Sequence, residues 1–182
     1  MMRPIALLLS LAVCLAGCGQ KPAAREPSSQ EEKSVNAITA LGGEVTTDDK
    51  LPGRPVIAVD LSGTKNTDAA LGNLKELNGL LALNLYNSEV SDAGMKNLKE
   101  LKKLQSLYLC GTRITDAGLK ELKGLTGLQT LGLMDTRVTD AGLENLKELK
   151  GLQTVWLNGT KVTSAGVKDL RQALPNTQIH GP

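Results

Sequence analysis

Residues Leu104-Gln105-Ser106-Leu107-Tyr108-Leu109 return as Leu128-Gln129-Thr130-Leu131-Gly132-Leu133, and again as Leu152-Gln153-Thr154-Val155-Trp156-Leu157, at an interval of 24 residues. Upstream, Leu80, Leu83 and Leu85 hold the same places, as do Val56, Val59 and Leu61, which makes five units without an insertion. A fixed period constrains the fold more than any other feature of the chain. Each copy is one supersecondary unit whose apolar face only its neighbours can cover. Within a unit, residues one, four and six surround a short strand and the intervening residues point outward. Successive strands then pair in parallel, about 4.8 Å apart.

The remainder of the unit is equally regular. A hydroxyl column (Thr64, Ser88, Thr112, Thr136, Thr160) follows the strand, where it can bond the backbone of the turn. Thr115-Asp116, Thr139-Asp140 and Thr163-Ser164 carry helix N-cap chemistry, and the helix dipole favours Asp there. Gly94, Gly118, Gly142 and Gly166 suit close approach of a short helix to its neighbour. The pairs Lys75-Glu76, Lys99-Glu100 and Lys147-Glu148 fall on the outer, solvated face of those helices. With Phe absent and Tyr86, Tyr108 and Trp156 the only aromatics, the core must be built from Leu, Val and Ile.

Laid out in this way, residues 56–174 resemble the leucine-rich-repeat family in its bacterial variant, LxxLxLxxTxVTDAGLxxLxxLxx. The resemblance implies an α/β solenoid, right-handed, with a parallel sheet on its concave face and short helices on its convex face. Residues 34–55 and 175–182 are then the N- and C-terminal caps, the second with a last strand near Gln178-Ile179. The first unit departs from the pattern, with Asn66 where Ile or Val is expected and Ala70 where Gly is expected.

Ahead of the repeats, Arg3 precedes an apolar run from Ile5 to Leu15 interrupted only by Ser10. That is too short to span a bilayer and suits the apolar region of a signal peptide. The run ends in Leu15-Ala16-Gly17-Cys18, which resembles the lipobox of bacterial lipoproteins. The resemblance implies cleavage before Cys18, lipidation of its thiol, and membrane anchorage at the bacterial cell envelope. The domain would then sit in the periplasm or at the cell surface, and Gly19 after the Cys favours the outer membrane. Residues 1–17 are thus the signal peptide, and 18–33, rich in Pro, Ser, Gln and charge, a flexible tether. Removal of Cys14 and lipidation of Cys18 leave Cys110 without a disulfide partner, as a small surface side chain.

The register also converts position into exposure. Residues two, three, five, seven and eight of each unit line the concave sheet or its edge, and none of them is Lys, Arg or His. Nucleic acid would need cations there, and a net charge of +2 with mixed signs gives no reason to expect strong non-specific binding. The same positions hold all three aromatics. Tyr108 and Trp156 share a column two units apart, roughly 10 Å, with Tyr86 one column over and Gly132 leaving a notch between the rings. Trp156, Tyr108, Tyr86, Met134 and Asn158 are the expected contacts for a protein or peptide, since Trp and Tyr dominate interface hot spots. Lys65, Arg113, Arg137 and Lys161, interrupted by Glu89, form a basic rim beside that face, with Asp116 and Asp140 close enough to pair with it.

No catalytic, cofactor-binding or metal-ligating set is expected. His180 is the sole His, no paired-Cys spacing occurs, and Gly42-Gly43 lacks the Lys and Ser or Thr of a phosphate loop. The expected role is a monomeric, non-catalytic, lipid-anchored interaction module. A structural envelope lipoprotein without a discrete ligand is the alternative, ahead of a regulator of a periplasmic enzyme.

Overall fold

The computed structural model describes residues 29–51, 53–65 and 67–181. The expected signal peptide, Cys18 and most of the tether lie outside these residues, as does Asn66. Seven strands form one sheet in chain order: β1 (Glu44–Thr47), β2 (Val56–Asp60), β3 (Ala82–Asn84), β4 (Ser106–Tyr108), β5 (Thr130–Gly132), β6 (Thr154–Trp156) and β7 (Gln178–His180). β1 runs antiparallel to β2 and every later pair is parallel. Short helices alternate with the strands: α1 (Ser29–Ala40), α2 (Thr67–Leu71), α3 (Asp92–Met95), α4 (Asp116–Leu119), α5 (Asp140–Leu143) and α6 (Ser164–Ala173). The architecture is an α/β solenoid of the leucine-rich-repeat type.

The parallel register advances by one unit per strand, so Val59, Leu83, Leu107, Leu131, Val155 and Ile179 form one inward column. All six are buried, together with Leu61, Leu85, Leu109, Leu133 and Leu157 at the strand exits. On the helix side Leu71, Met95, Leu119, Leu143 and Val167 close the core, which holds no aromatic ring. Each buried Leu contributes about 2 kcal/mol relative to exposure, and none of that is available to a unit standing alone.

Polar groups close the turns. The hydroxyls of Thr64, Ser88, Thr112, Thr136 and Thr160 donate to the carbonyls of Leu61, Leu85, Leu109, Leu133 and Leu157 at 2.6–2.8 Å. At the strand exits Gly63, Asn87, Gly111, Asp135 and Gly159 share a left-handed backbone, with φ between 52° and 71°. Asn and Asp are the side chains that tolerate this region best, and here they alternate with Gly. Alternation has a steric cause: a Cβ on Gly111 would lie 1.9 Å from Asn87 Oδ1, and one on Gly159 2.1 Å from Asp135 Oδ1.

Ser91, Thr115 and Thr139 cap α3, α4 and α5 by accepting from the amides of Ala93, Ala117 and Ala141. The Asp column does more than meet the helix dipole. Asp92 Oδ1 accepts from Thr115 N at 2.9 Å and its Oδ2 from the Thr115 hydroxyl at 2.6 Å. Asp116 binds Thr139, and Asp140 binds Thr163, in the same two-pronged way. Each Asp thus joins its own helix to the cap of the next. The glycines leave room for this carboxylate: a Cβ on Gly94, Gly118, Gly142 or Gly166 would sit 2.1–2.5 Å from an Asp oxygen of the preceding unit. Ala70 needs no such room, because the residue one period before Asp68 is Glu44 of β1 rather than an Asp at a helix start, and Ala70 itself is fully buried.

One boundary differs from the sequence expectation. Helix α1 begins at Ser29, so residues 29–33 of the expected tether are helical; Glu31 and Glu32 in its first turn suit the helix dipole, and Ile38 anchors it in the core. Helix α6 continues for ten residues, where α3 and α4 give way to 3₁₀ turns at Lys96–Glu100 and Lys120–Leu122.

Candidate binding surface

Two columns of side chains stand on the sheet face turned away from the core. Pairing aligns Thr46, Ala58, Ala82, Ser106, Thr130, Thr154 and Gln178 in the first, and Glu44, Asp60, Asn84, Tyr108, Gly132, Trp156 and His180 in the second. The first is low, made of small or hydroxyl-bearing residues up to β6. The second is a ridge, acidic at one end and aromatic at the other.

At the aromatic end Tyr108 and Trp156 meet across Gly132, with ring centroids 6.4 Å apart and planes tilted by 32°. The expected notch is therefore filled. Two strands of spacing would hold the rings about 10 Å apart, but Gly132 offers no side chain and the rings lean over it, leaving it buried. A Cβ there would press to 2.8 Å from Cys110 Sγ and 3.2 Å from Tyr108 Cδ1. On the far side Trp156 stacks on His180 at 5.8 Å and 14°. His180, within the expected C-terminal cap, is a site residue that the expected contacts do not include. The signal was available, since 180 lies one period after 156 and the last strand was expected beside it.

Tyr108 remains 36% exposed and Tyr86 50%, although Tyr86 takes no part in the stack. Met134 is half-buried and Asn158 exposed beside the ridge. Cys110 is not the surface side chain expected from the register. It is 3% exposed, because the chain turns inward at the strand exit. Burial pushes its thiol pKa up, and the charge of Asp135 adds to that, against backbone hydrogen bonds from Met134 and Cys110 itself.

At the other end Ala58 and Ala82 floor a hollow of about 220 Å³, walled by Glu44, Asp60, Asn84 and Tyr108. Asp60 Oδ1 accepts from Ser62 N at 2.8 Å and Oδ2 from Asn84 Nδ2 at 2.9 Å. Burial alone would raise the Asp60 pKa. The Ser62 hydroxyl and amide, with the Asn84 amide, outweigh it and hold the carboxyl below its ordinary value. Glu44 is exposed, and its carboxylate enters no hydrogen bond or ion pair among the described residues.

Lys65, Glu89, Arg113, Arg137 and Lys161 are all exposed. The expected pairing of this rim with Asp116 and Asp140 is not made among the described residues, where the two carboxylates bond Thr139 and Thr163 instead. Among the described residues the ion pairs are Arg54–Asp49 and Lys147–Glu144. No group of three or more His, Cys, Asp or Glu among the described residues is placed to hold a metal ion.

No protein-family model matches the chain, and no curated protein matches it. Among solved structures, a leucine-rich-repeat protein of Leptospira interrogans is similar at 22% sequence identity with a TM-score of 0.38. The match covers 59% of this chain and 38% of that protein, so the chain spans well under half of its length.

Proposed function

We propose that the chain is a non-catalytic protein-interaction module, monomeric and held at the bacterial cell envelope by lipid on Cys18, which docks a protein or peptide on the exposed face of its sheet. The observation that carries this reading is the continuous shelf of Tyr108, Trp156 and His180. Large rings with one polar edge gain most when a partner covers them, and here they are gathered on one face while the core uses none. Tyr86, Met134 and Asn158 flank the shelf and extend the contact. Neither column contains Lys or Arg, which disfavours nucleic acid as the occupant.

Alanine at both Trp156 and Tyr108 removes the shelf without touching the Leu core. Crosslinking capture from native membranes is expected to recover a discrete partner with the parent chain and to lose it with this variant. Unchanged capture would refute docking on this face. Absence of any discrete partner with either chain would favour a scaffold role. For the anchor, Cys18→Ala should abolish partitioning into a detergent phase, and retained partitioning would refute lipidation.

A further inference from the structure

We infer that the partner docks as an extended segment carrying a Lys or Arg side chain, which enters the hollow between Glu44, Asp60 and Tyr108 while its neighbouring residues lie along the low column toward the aromatic shelf. The inference rests on the docking face proposed above and adds the chemistry of the partner.

Charge complementarity argues for it. The two columns together carry Glu44 and Asp60 and no Lys or Arg, and neither carboxylate has an ion-pair partner among the described residues. Both Asp60 oxygens already hold one donor, which fixes the carboxylate in place, yet each keeps a lone pair for another. The Glu44 carboxylate accepts from none of the described residues, so its acceptor capacity is open to a ligand. The floor of Ala58 and Ala82 is apolar and suits the aliphatic stem of a basic side chain. Tyr108 walls the same hollow, and its ring can face the cation. An anionic occupant would meet two carboxylates, and an apolar one would leave them desolvated without a partner.

The shape of the face argues for an extended segment. From Thr46 to Thr154 the first column is small throughout, so a chain crossing the strands meets no obstacle between the hollow and Trp156. Gln105, Gln129 and Gln153 enter successive strands beside it. Their side-chain amides have no hydrogen-bond partner among the described residues, and so remain open to a peptide backbone.

The test uses the full chain in detergent and a library of short random peptides displayed on phage, selected on the parent protein, on Glu44→Gln with Asp60→Asn, and on Tyr108→Ala with Trp156→Ala. The parent should enrich peptides bearing Lys or Arg near an apolar residue. A synthetic peptide of that sequence should bind about ten-fold more weakly to the Gln/Asn variant. Its affinity for the parent should fall with added salt, whereas an analogue with norleucine at the basic position should not respond to salt. Circular dichroism checks that each variant keeps its fold. Should the Gln/Asn variant unfold, the salt response of the two peptides on the parent decides. Enriched peptides without a basic residue, or equal salt response of the two peptides, would overturn the inference and leave sheet-face docking standing. Recovery unaffected by loss of Tyr108 and Trp156 would overturn the docking reading itself, and no recovery on the parent would overturn both.

Discussion

Substitution of Gly142 by Ala tests the joint between repeats with an unusual sign. In an isolated helix the change would stabilise by about 0.5–1 kcal/mol. Here the new Cβ would stand 2.3 Å from Asp116 Oδ1 and 3.1 Å from Val138 Cγ1. The carboxylate must withdraw, and with it go its bonds to Thr139 N at 2.8 Å and the Thr139 hydroxyl at 2.7 Å. At a half-buried site two such bonds contribute about 1 kcal/mol each. Subtracting the helix gain leaves a net loss of about 1–1.5 kcal/mol. In an Asp116→Ala background the obstructing carboxylate is gone, so Gly142→Ala should be neutral or stabilising by up to about 0.5 kcal/mol. Urea unfolding followed by Trp156 fluorescence, in a double-mutant cycle, should therefore return a coupling of about 1–2 kcal/mol. Additive effects within about 0.5 kcal/mol would refute the claim that the Gly exists to admit the Asp.

Other consequences follow from the same geometry. The Thr163 hydroxyl and amide hold the Asp140 carboxyl below its ordinary value; the unfolded chain therefore takes up this proton first, and the contact stabilises fully above the unfolded value and is lost as pH falls through the folded one. Asp140→Asn should flatten that acid limb of the stability curve, and an unchanged limb would contradict the assignment. Burial and a raised pKa keep Cys110 a protonated thiol at neutral pH, so thiol reagents should label it at an appreciable rate only after unfolding; rapid labelling of the folded chain would contradict this. Gly132→Val should force Tyr108 away from Trp156 and shift the emission of the single Trp, while a spectrum identical to the parent's would show that the rings do not depend on the gap.

The repeat period was legible because every unit must bury the same Leu positions, and a one-residue slip would expose them. The inward column from Val59 to Ile179, the hydroxyl column and the Thr caps all follow from that single register. What the period left hidden is chemistry between units. A carboxylate at a helix start reads as a response to the dipole, and only the stacked geometry reveals that Asp92 reaches Thr115 in the next unit. Side-chain reach was hidden too: column spacing predicts a gap over Gly132, but rings can lean across it. His180 was overlooked for another reason. It stands outside the five matched units, though its strand continues their register. Cys110 misled because outward alternation stops at the strand's end, where the backbone turns inward.

Docking on the aromatic sheet face, and not on the helix face, can be read out by covalent capture at each. Site-specific photo-crosslinking in native envelopes tests it most directly, with a crosslinking residue at position 108 on the sheet in one chain and at position 148, exposed on the opposite side, in another. A discrete adduct from position 108 and none from position 148 is the predicted result. Adducts from position 148 alone would contradict the account.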